Sequence, residues 1–177
     1  FDRTDPALLK MLLLAYRDKS TAQTPLQGLL TLTPVVPVSV SYELDPCAVD
    51  KARELAVIEQ LGEYIKKPDE DLKSMVQGLM GHKGRVRLAF GEPITAASSL
   101  EDLTEQLDQT IVANTRLYPT HRYARALNAG LDTQDLVNHP TVRVLAAELE
   151  SLSAAERPFL LQQYANIWRN RQELGIG

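Results

Sequence analysis

The stretch Thr33–Glu43, Thr-Pro-Val-Val-Pro-Val-Ser-Val-Ser-Tyr-Glu, restricts the fold more than any other part of the chain. Its four valines and its tyrosine favour a pleated, packed conformation. The near-continuous apolar run through Val40 suits a strand covered on both faces, as in a parallel sheet. Pro34 and Pro37 lack an amide donor and belong at the start of the strand or at a bulge. Ligands of open α/β sheets bind beyond the carboxyl ends of strands, which puts Ser41, Tyr42, Glu43 and Asp45 at the border of any site.

The remaining sequence is mostly helical. Asp5-Pro6 is a cap followed by a proline at the first helical position and opens a leucine-rich helix that runs to Lys19 and is apolar around most of its circumference, so burial on several sides is expected. Thr24-Pro25 repeats the signal for a short helix ending near Gly28. A longer helix is expected from Asp45-Pro46 to Lys66, with Leu55, Ile58, Leu61, Tyr64 and Ile65 as its apolar stripe. Asp69 can cap the next, which carries Leu72, Met75, Val76, Leu79 and Met80 and closes at Gly81. A second strand spans Gly84–Ile94, with Val86, Leu88 and Phe90 expected on its buried face. Ser98 or Ser99 caps a helix through Val112, and Tyr118-Pro119 starts a short one ending at Leu127. Pro140 and Ser153 open the two helices of a tail in which Phe159, Leu160, Tyr164, Ile167 and Trp168 form a stripe. The order is that of an α/β protein with few strands for its length.

Nineteen basic against 23 acidic residues give a net charge of -4, which offers no footprint for nucleic acid. No apolar run reaches the ~20 residues of a membrane-spanning helix. Cys47, the single cysteine, excludes an intrachain disulfide, and packing is favoured over nucleophilic use. His82, His121 and His139 lie far apart and show no metal-ligand spacing, so no metal is expected. Neither a phosphate-binding loop nor a dinucleotide glycine fingerprint is present, and no serine stands in a nucleophile elbow. Arg116, Arg122 and Arg125, interleaved with Tyr118, His121 and Tyr123, could meet phosphates or lipid head groups, but a solvated face with snorkelling arginines is the favoured reading. Lys83, Arg85 and Arg87 leave the same choice between an anionic substrate and edge-strand protection. No catalytic residue is assigned.

Three blocks carry a resemblance. Val36–Cys47 (Val-Pro-Val-Ser-Val-Ser-Tyr-Glu-Leu-Asp-Pro-Cys), Lys51–Leu55 (Lys-Ala-Arg-Glu-Leu) and Lys83–Ile94 (Lys-Gly-Arg-Val-Arg-Leu-Ala-Phe-Gly-Glu-Pro-Ile) resemble, in order and spacing, the carboxyl-terminal half of bacterial glycerol-3-phosphate and 1-acylglycerol-3-phosphate acyltransferases. The opening Asp2–Lys10 is similar to one branch of that family. The resemblance implies a glycerolipid-acyltransferase-like mixed sheet flanked by helices, here an incomplete carboxyl-terminal portion over residues 1–128 with a helical extension over 129–177. It implies acyl transfer from acyl-CoA or acyl carrier protein to a glycerol-phosphate hydroxyl, without a cofactor. The location it implies is cytoplasmic or peripheral on the cytoplasmic face of the inner membrane, with peripheral membrane contact. Substrate-binding roles fall on Arg3, Pro37, Tyr42, Glu43 and Lys83. The family's base, a histidine in His-x-x-x-x-Asp, and its phosphate-binding Glu-Gly-x-Arg segment have no counterpart here, so both are expected upstream of Asp2, and the isolated chain is expected to be inactive. The alternative is a non-enzymatic binding or membrane-associated module on the same scaffold.

Overall fold

A computed structural model describes residues 3–16 and 24–176. It divides into two compact units, one formed by Phe1–Val40, Arg87–Thr115 and Asn170–Gly177, the other by Ser41–Val86 and Arg116–Arg169. Eight helices and two strands make up the described residues. The protein is thus mixed α and β, and its sheet is smaller than the sequence implies.

In the first unit, α1 (Pro6–Tyr16) packs on α2 (Pro25–Leu32) and on α5 (Leu100–Asn114). Asp5 caps α1 by accepting the Ala7 N–H at 2.8 Å, and Thr24 and Ser99 cap α2 and α5 through their hydroxyls, as short-range chemistry dictates. Thr4 ties the lead into α1 to α5 by donating its N–H and its hydroxyl to one oxygen of buried Asp108. The core is Leu9, Leu26, Leu30, Ile94, Leu103 and Leu107. Two expectations need correction. The second helix does not stop near Gly28 but continues to Leu32. α1 is not buried on several sides: Leu9 is its only buried residue among those described, and Leu8, Met11, Leu12 and Leu14 face outward. The expected continuation of α1 to Lys19 lies outside the described residues.

The strands are β1 (Val38–Tyr42) and β2 (Val86–Phe90). They form a two-stranded antiparallel pair rather than part of a parallel sheet. Gly91 N–H bonds to Pro37 O at one end and Glu43 N–H to Arg85 O at the other. That register sets Val38 opposite Phe90 and Val40 opposite Leu88, in the closely spaced non-hydrogen-bonded positions. The burial departs from the expectation of a β1 covered on both faces and a β2 with Val86, Leu88 and Phe90 buried. Val38 and Val40 are exposed, as are Val86, Leu88 and Phe90, while Ser39 and Ser41 are buried. Each buried serine has a partner that makes this tolerable: Ser39 Oγ meets Thr115 Oγ1 at 3.0 Å, and Ser41 Oγ accepts the Arg116 N–H at 2.9 Å.

In the second unit, α3 (Ala48–Leu61), α6 (Pro119–Asn128), α7 (Pro140–Glu150) and α8 (Arg157–Glu173, to Arg169) surround a core of Leu44, Tyr123, Val142, Leu145, Leu149, Leu160 and Tyr164. The buried seam of α3 consists of Ala48, Ala52 and Ala56, not the expected leucine and isoleucine stripe, and Leu61 and Ile65 are exposed. Gly62, at φ +84°, ends α3 in the left-handed region well before Lys66. α4 (Glu70–Met80) begins after Asp69, which makes no side-chain cap bond. The last helix begins at Arg157, four residues beyond the expected Ser153 cap.

Candidate functional site

The polar end of β1 is closely interconnected with the rest of the second unit. Chain direction carries the strand from the exposed Val40 through half-buried Tyr42 to Glu43, which is 2 % exposed. Glu43 is held at every polar atom. Its N–H is shared between Lys83 O (3.1 Å) and Arg85 O (3.2 Å), and its carbonyl accepts the hydroxyl of buried Thr120 at 2.6 Å. One carboxylate oxygen takes the Arg85 N–H at 2.9 Å and the other takes Arg85 Nη2 at 2.6 Å. This two-point grip depends on Gly84. At φ +62° it turns the chain in the left-handed region, and a Cβ there would stand 2.8 Å from Glu43 Oε2.

The Arg85 guanidinium is 62 % exposed, yet fixed from two sides, by Glu43 and by the Tyr118 ring, whose centroid is 5.3 Å away. Tyr118 in turn starts α6, and its N–H donates to His121 Nδ1 at 3.0 Å. His121 stands between the rings of Tyr118 and Tyr164, at centroid distances of 5.9 and 6.0 Å. Tyr164 Oη closes the chain of contacts by accepting the Asp45 N–H at 2.9 Å.

The protonation states follow from these surroundings. Burial by itself raises the Glu43 pKa, but the Arg85 side chain, the Arg85 N–H and nearby positive charge outweigh it and hold the carboxyl below its ordinary value. Burial pulls His121 from 6.5 down to about 4, against the opposing pull of Glu43. Its Nδ1, occupied by the Tyr118 N–H, must be unprotonated, so the proton of the neutral ring is on Nε2. Burial pushes Tyr164 upward against the Asp45 N–H that its oxygen accepts, and pushes Tyr42 upward with help from the Asp45 carboxylate. Cys47 is also raised, by burial first and then by Asp45, and its thiol donates to Ser74 O at 3.5 Å, the behaviour of a packed thiol rather than an activated one.

Chemically, this arrangement presents a preset cation. Neither Glu43, ionised and enclosed, nor His121, whose basic nitrogen is occupied, is free to take a proton from a substrate. Arg85 keeps guanidinium N–H groups beyond the one given to Glu43 and has the planar fork that suits a carboxylate or phosphate. No group of His, Cys, Asp and Glu among the described residues is disposed to hold a metal ion.

Of the residues singled out by resemblance, Tyr42, Glu43 and Lys83 meet here. Lys83 contributes mainly through its backbone carbonyl, which accepts the Glu43 and Leu44 N–H groups, while its ammonium closes α4 by donating to Leu79 O and Gly81 O. Pro37 and Arg3 belong to the first unit. Pro37 accepts the Gly91 N–H at the start of β1, and Arg3 borders a cleft of about 440 Å³ with Glu101, Asp108 and Glu173. Another cavity of that unit, about 840 Å³, lies between the exit of β2 and the Gln106–Asn114 side of α5. Sequence reasoning passed over Thr120, placed Tyr118 only in the arginine cluster of residues 116–125, and left Arg85 between an anionic substrate and edge-strand protection. A signal for Arg85 existed in Gly84-Arg85, a turn glycine next to a cation.

Comparison of the chain with protein-family models, with characterised proteins and with solved structures finds no match in any of the three. No described helix is long and apolar enough to cross a membrane.

Proposed function

We propose that these 177 residues form the carboxyl-terminal part of a glycerolipid acyltransferase, which moves a fatty acyl group from acyl-CoA or acyl carrier protein to a glycerol-phosphate hydroxyl. One observation carries the proposal. The two blocks on which the resemblance rests, Val36–Cys47 and Lys83–Ile94, are distant in sequence yet lie side by side as β1 and β2, with Glu43 and Arg85 bonded at the end of the pair. In this reading the outward apolar side chains Val38, Val40, Leu88 and Phe90 form a wall for the acyl chain. Independently of that wall, Arg85, held by Glu43 and Tyr118, offers its remaining guanidinium N–H groups to an anion.

The attacking hydroxyl needs a general base. None of the three histidines stands five residues before an aspartate, and His121 has its basic nitrogen occupied, so in this proposal the base comes from outside the 177 residues. The reading frame preceding the Phe1 codon tests this. It is expected to encode a His-x-x-x-x-Asp followed by a Glu-Gly-x-Arg segment, and a frame without either overturns the proposal.

A further inference from the structure

The cavity of about 840 Å³ at the exit of β2 takes no part in the acyl-transfer proposal, yet it has the volume of a small-molecule site. One wall is the extended segment from Gly91 to Ala96, which is pinned where Ile94 and Val35 exchange N–H and carbonyl groups at 2.8 and 3.3 Å. The facing wall is the second half of α5, from Gln106 to Asn114, and Leu174 with Ile176 adds an apolar side. The walls are drawn together at Gly91. A Cβ there would stand 2.5 Å from Thr110 Cγ2, so a larger residue would force them apart.

The polar side chains of the α5 wall are mostly left with oxygens to offer. Gln106 spends its amide hydrogens on Asp102 Oδ1 at 2.9 Å and on Ala96 O at 3.3 Å, so only its oxygen remains for a ligand. Thr110 donates its hydroxyl to Gln106 O at 2.8 Å and keeps only its capacity to accept. Gln109 is turned by its Nε2 toward Glu105 Oε1 at 3.2 Å. Asn114 is held through its backbone carbonyl, which accepts Arg87 Nη1 at 2.8 Å, while its side-chain amide makes no hydrogen bond among the described residues. Glu92, which is exposed, is the single charged residue of the described lining. Fixed oxygens with so little charge select a ligand that donates hydrogen bonds and is itself neutral. An anion would meet acceptors and a carboxylate, and a cation would find one exposed carboxylate. Neighbouring hydroxyl groups match the amide and threonine oxygens, and the C–H face of a ring matches Leu174 and Ile176.

We infer that this cavity binds a neutral polyhydroxylated compound, a sugar or cyclitol, through the oxygens of Gln106, Gln109 and Thr110 and the amide of Asn114. The inference goes beyond acyl transfer and would hold for a protein that transfers no acyl group. Titration of the isotope-labelled full chain with glucose, galactose and myo-inositol, followed by the backbone amide signals, tests it without any acyl donor or acceptor present. At least one of these is expected to shift the signals of Thr95, Thr110 and Asn114 saturably, and more tightly than glucose 6-phosphate or glucosamine does. Asn114→Ala, which breaks no internal bond of that side chain, should weaken binding about fivefold or more. Ala113 is exposed, so Ala113→Trp fills the cavity mouth without touching the core and should abolish binding with circular dichroism unchanged. No saturable shift with any of the neutral compounds overturns the inference. So does tighter binding of the phosphorylated or amino sugar, or binding that Ala113→Trp leaves intact.

Discussion

Glu43 commits both carboxylate oxygens to Arg85, one to its backbone and one to its side chain, and so acts as a clamp between the end of β1 and the segment entering β2. Arg85→Ala would leave that carboxylate buried with half its partners and is expected to lower stability at neutral pH, an effect moderated by solvent at the exposed guanidinium. The sign of its pH dependence is fixed. The folded pKa of Glu43 is lowered, so the stabilisation is complete above the ordinary carboxylate range and disappears as pH falls through the lowered value. Urea denaturation of both proteins should therefore show a gap at pH 7 that narrows under strong acid. Gly84 gives a second prediction at this scale. Gly84→Ala adds a close contact with Glu43 to an unfavourable φ and should cost about 2 kcal/mol or more. Gly130→Ala has a similar φ of +63° but open space, and should lose only about 1 kcal/mol. Equal losses by denaturation would show that the clamp has no steric requirement at Gly84.

At the scale of elements, α6 and α4 depend on contacts that ordinary capping rules do not supply. His121 closes the first turn of α6 by accepting the Tyr118 N–H, which only its neutral form can do. With a folded pKa of about 4 against 6.5, the unfolded chain binds the proton more readily, so stability should decline as pH drops from 6.5 to about 4, by up to about 3 kcal/mol. His121→Gln should flatten that segment of the stability profile; a decline of unchanged size would assign it to other groups. α4 sets Gly78 against Gly81. Gly78→Ala meets an ordinary contact and removes a helix-interior glycine, for a gain of about 0.5–1 kcal/mol, whereas Gly81→Ala must push α4 off Pro46, at a cost of about 1–3 kcal/mol. Thermal melts of the two variants should move in opposite directions. Helix starts were readable in advance where the signal is local, as at Asp5, Thr24-Pro25, Ser99 and Pro140. The ends of α2 and α3 were not, because a glycine continues one helix at Gly28 and terminates the other at Gly62.

Over the whole molecule, the sequence identified mixed α and β structure and located both strands, but it expected β1 to be covered on both faces and Val86, Leu88 and Phe90 of β2 to be buried. Of β1 only Ser39 and Ser41 are buried, satisfied by Thr115 and Arg116, more than 70 positions away, which no local pattern records. Glu43 was marked by its place at the end of a strand, while its partner Arg85, 42 positions on, was not. In each unit taken by itself, large apolar side chains remain at the surface, on α1 and the strand pair in one and on α4 in the other. Surfaces of that extent are usually functional. The acyl-transfer proposal is tested most directly by incubating labelled acyl-CoA or acyl carrier protein with glycerol phosphate or its 1-acyl ester and either the product of the complete reading frame or the 177-residue chain. The account predicts labelled glycerolipid from the former, reduced about tenfold or more by Phe90→Asp, and none from the latter. Transfer by the 177-residue chain alone, or no transfer by the complete protein with any of these donors and acceptors, would contradict it.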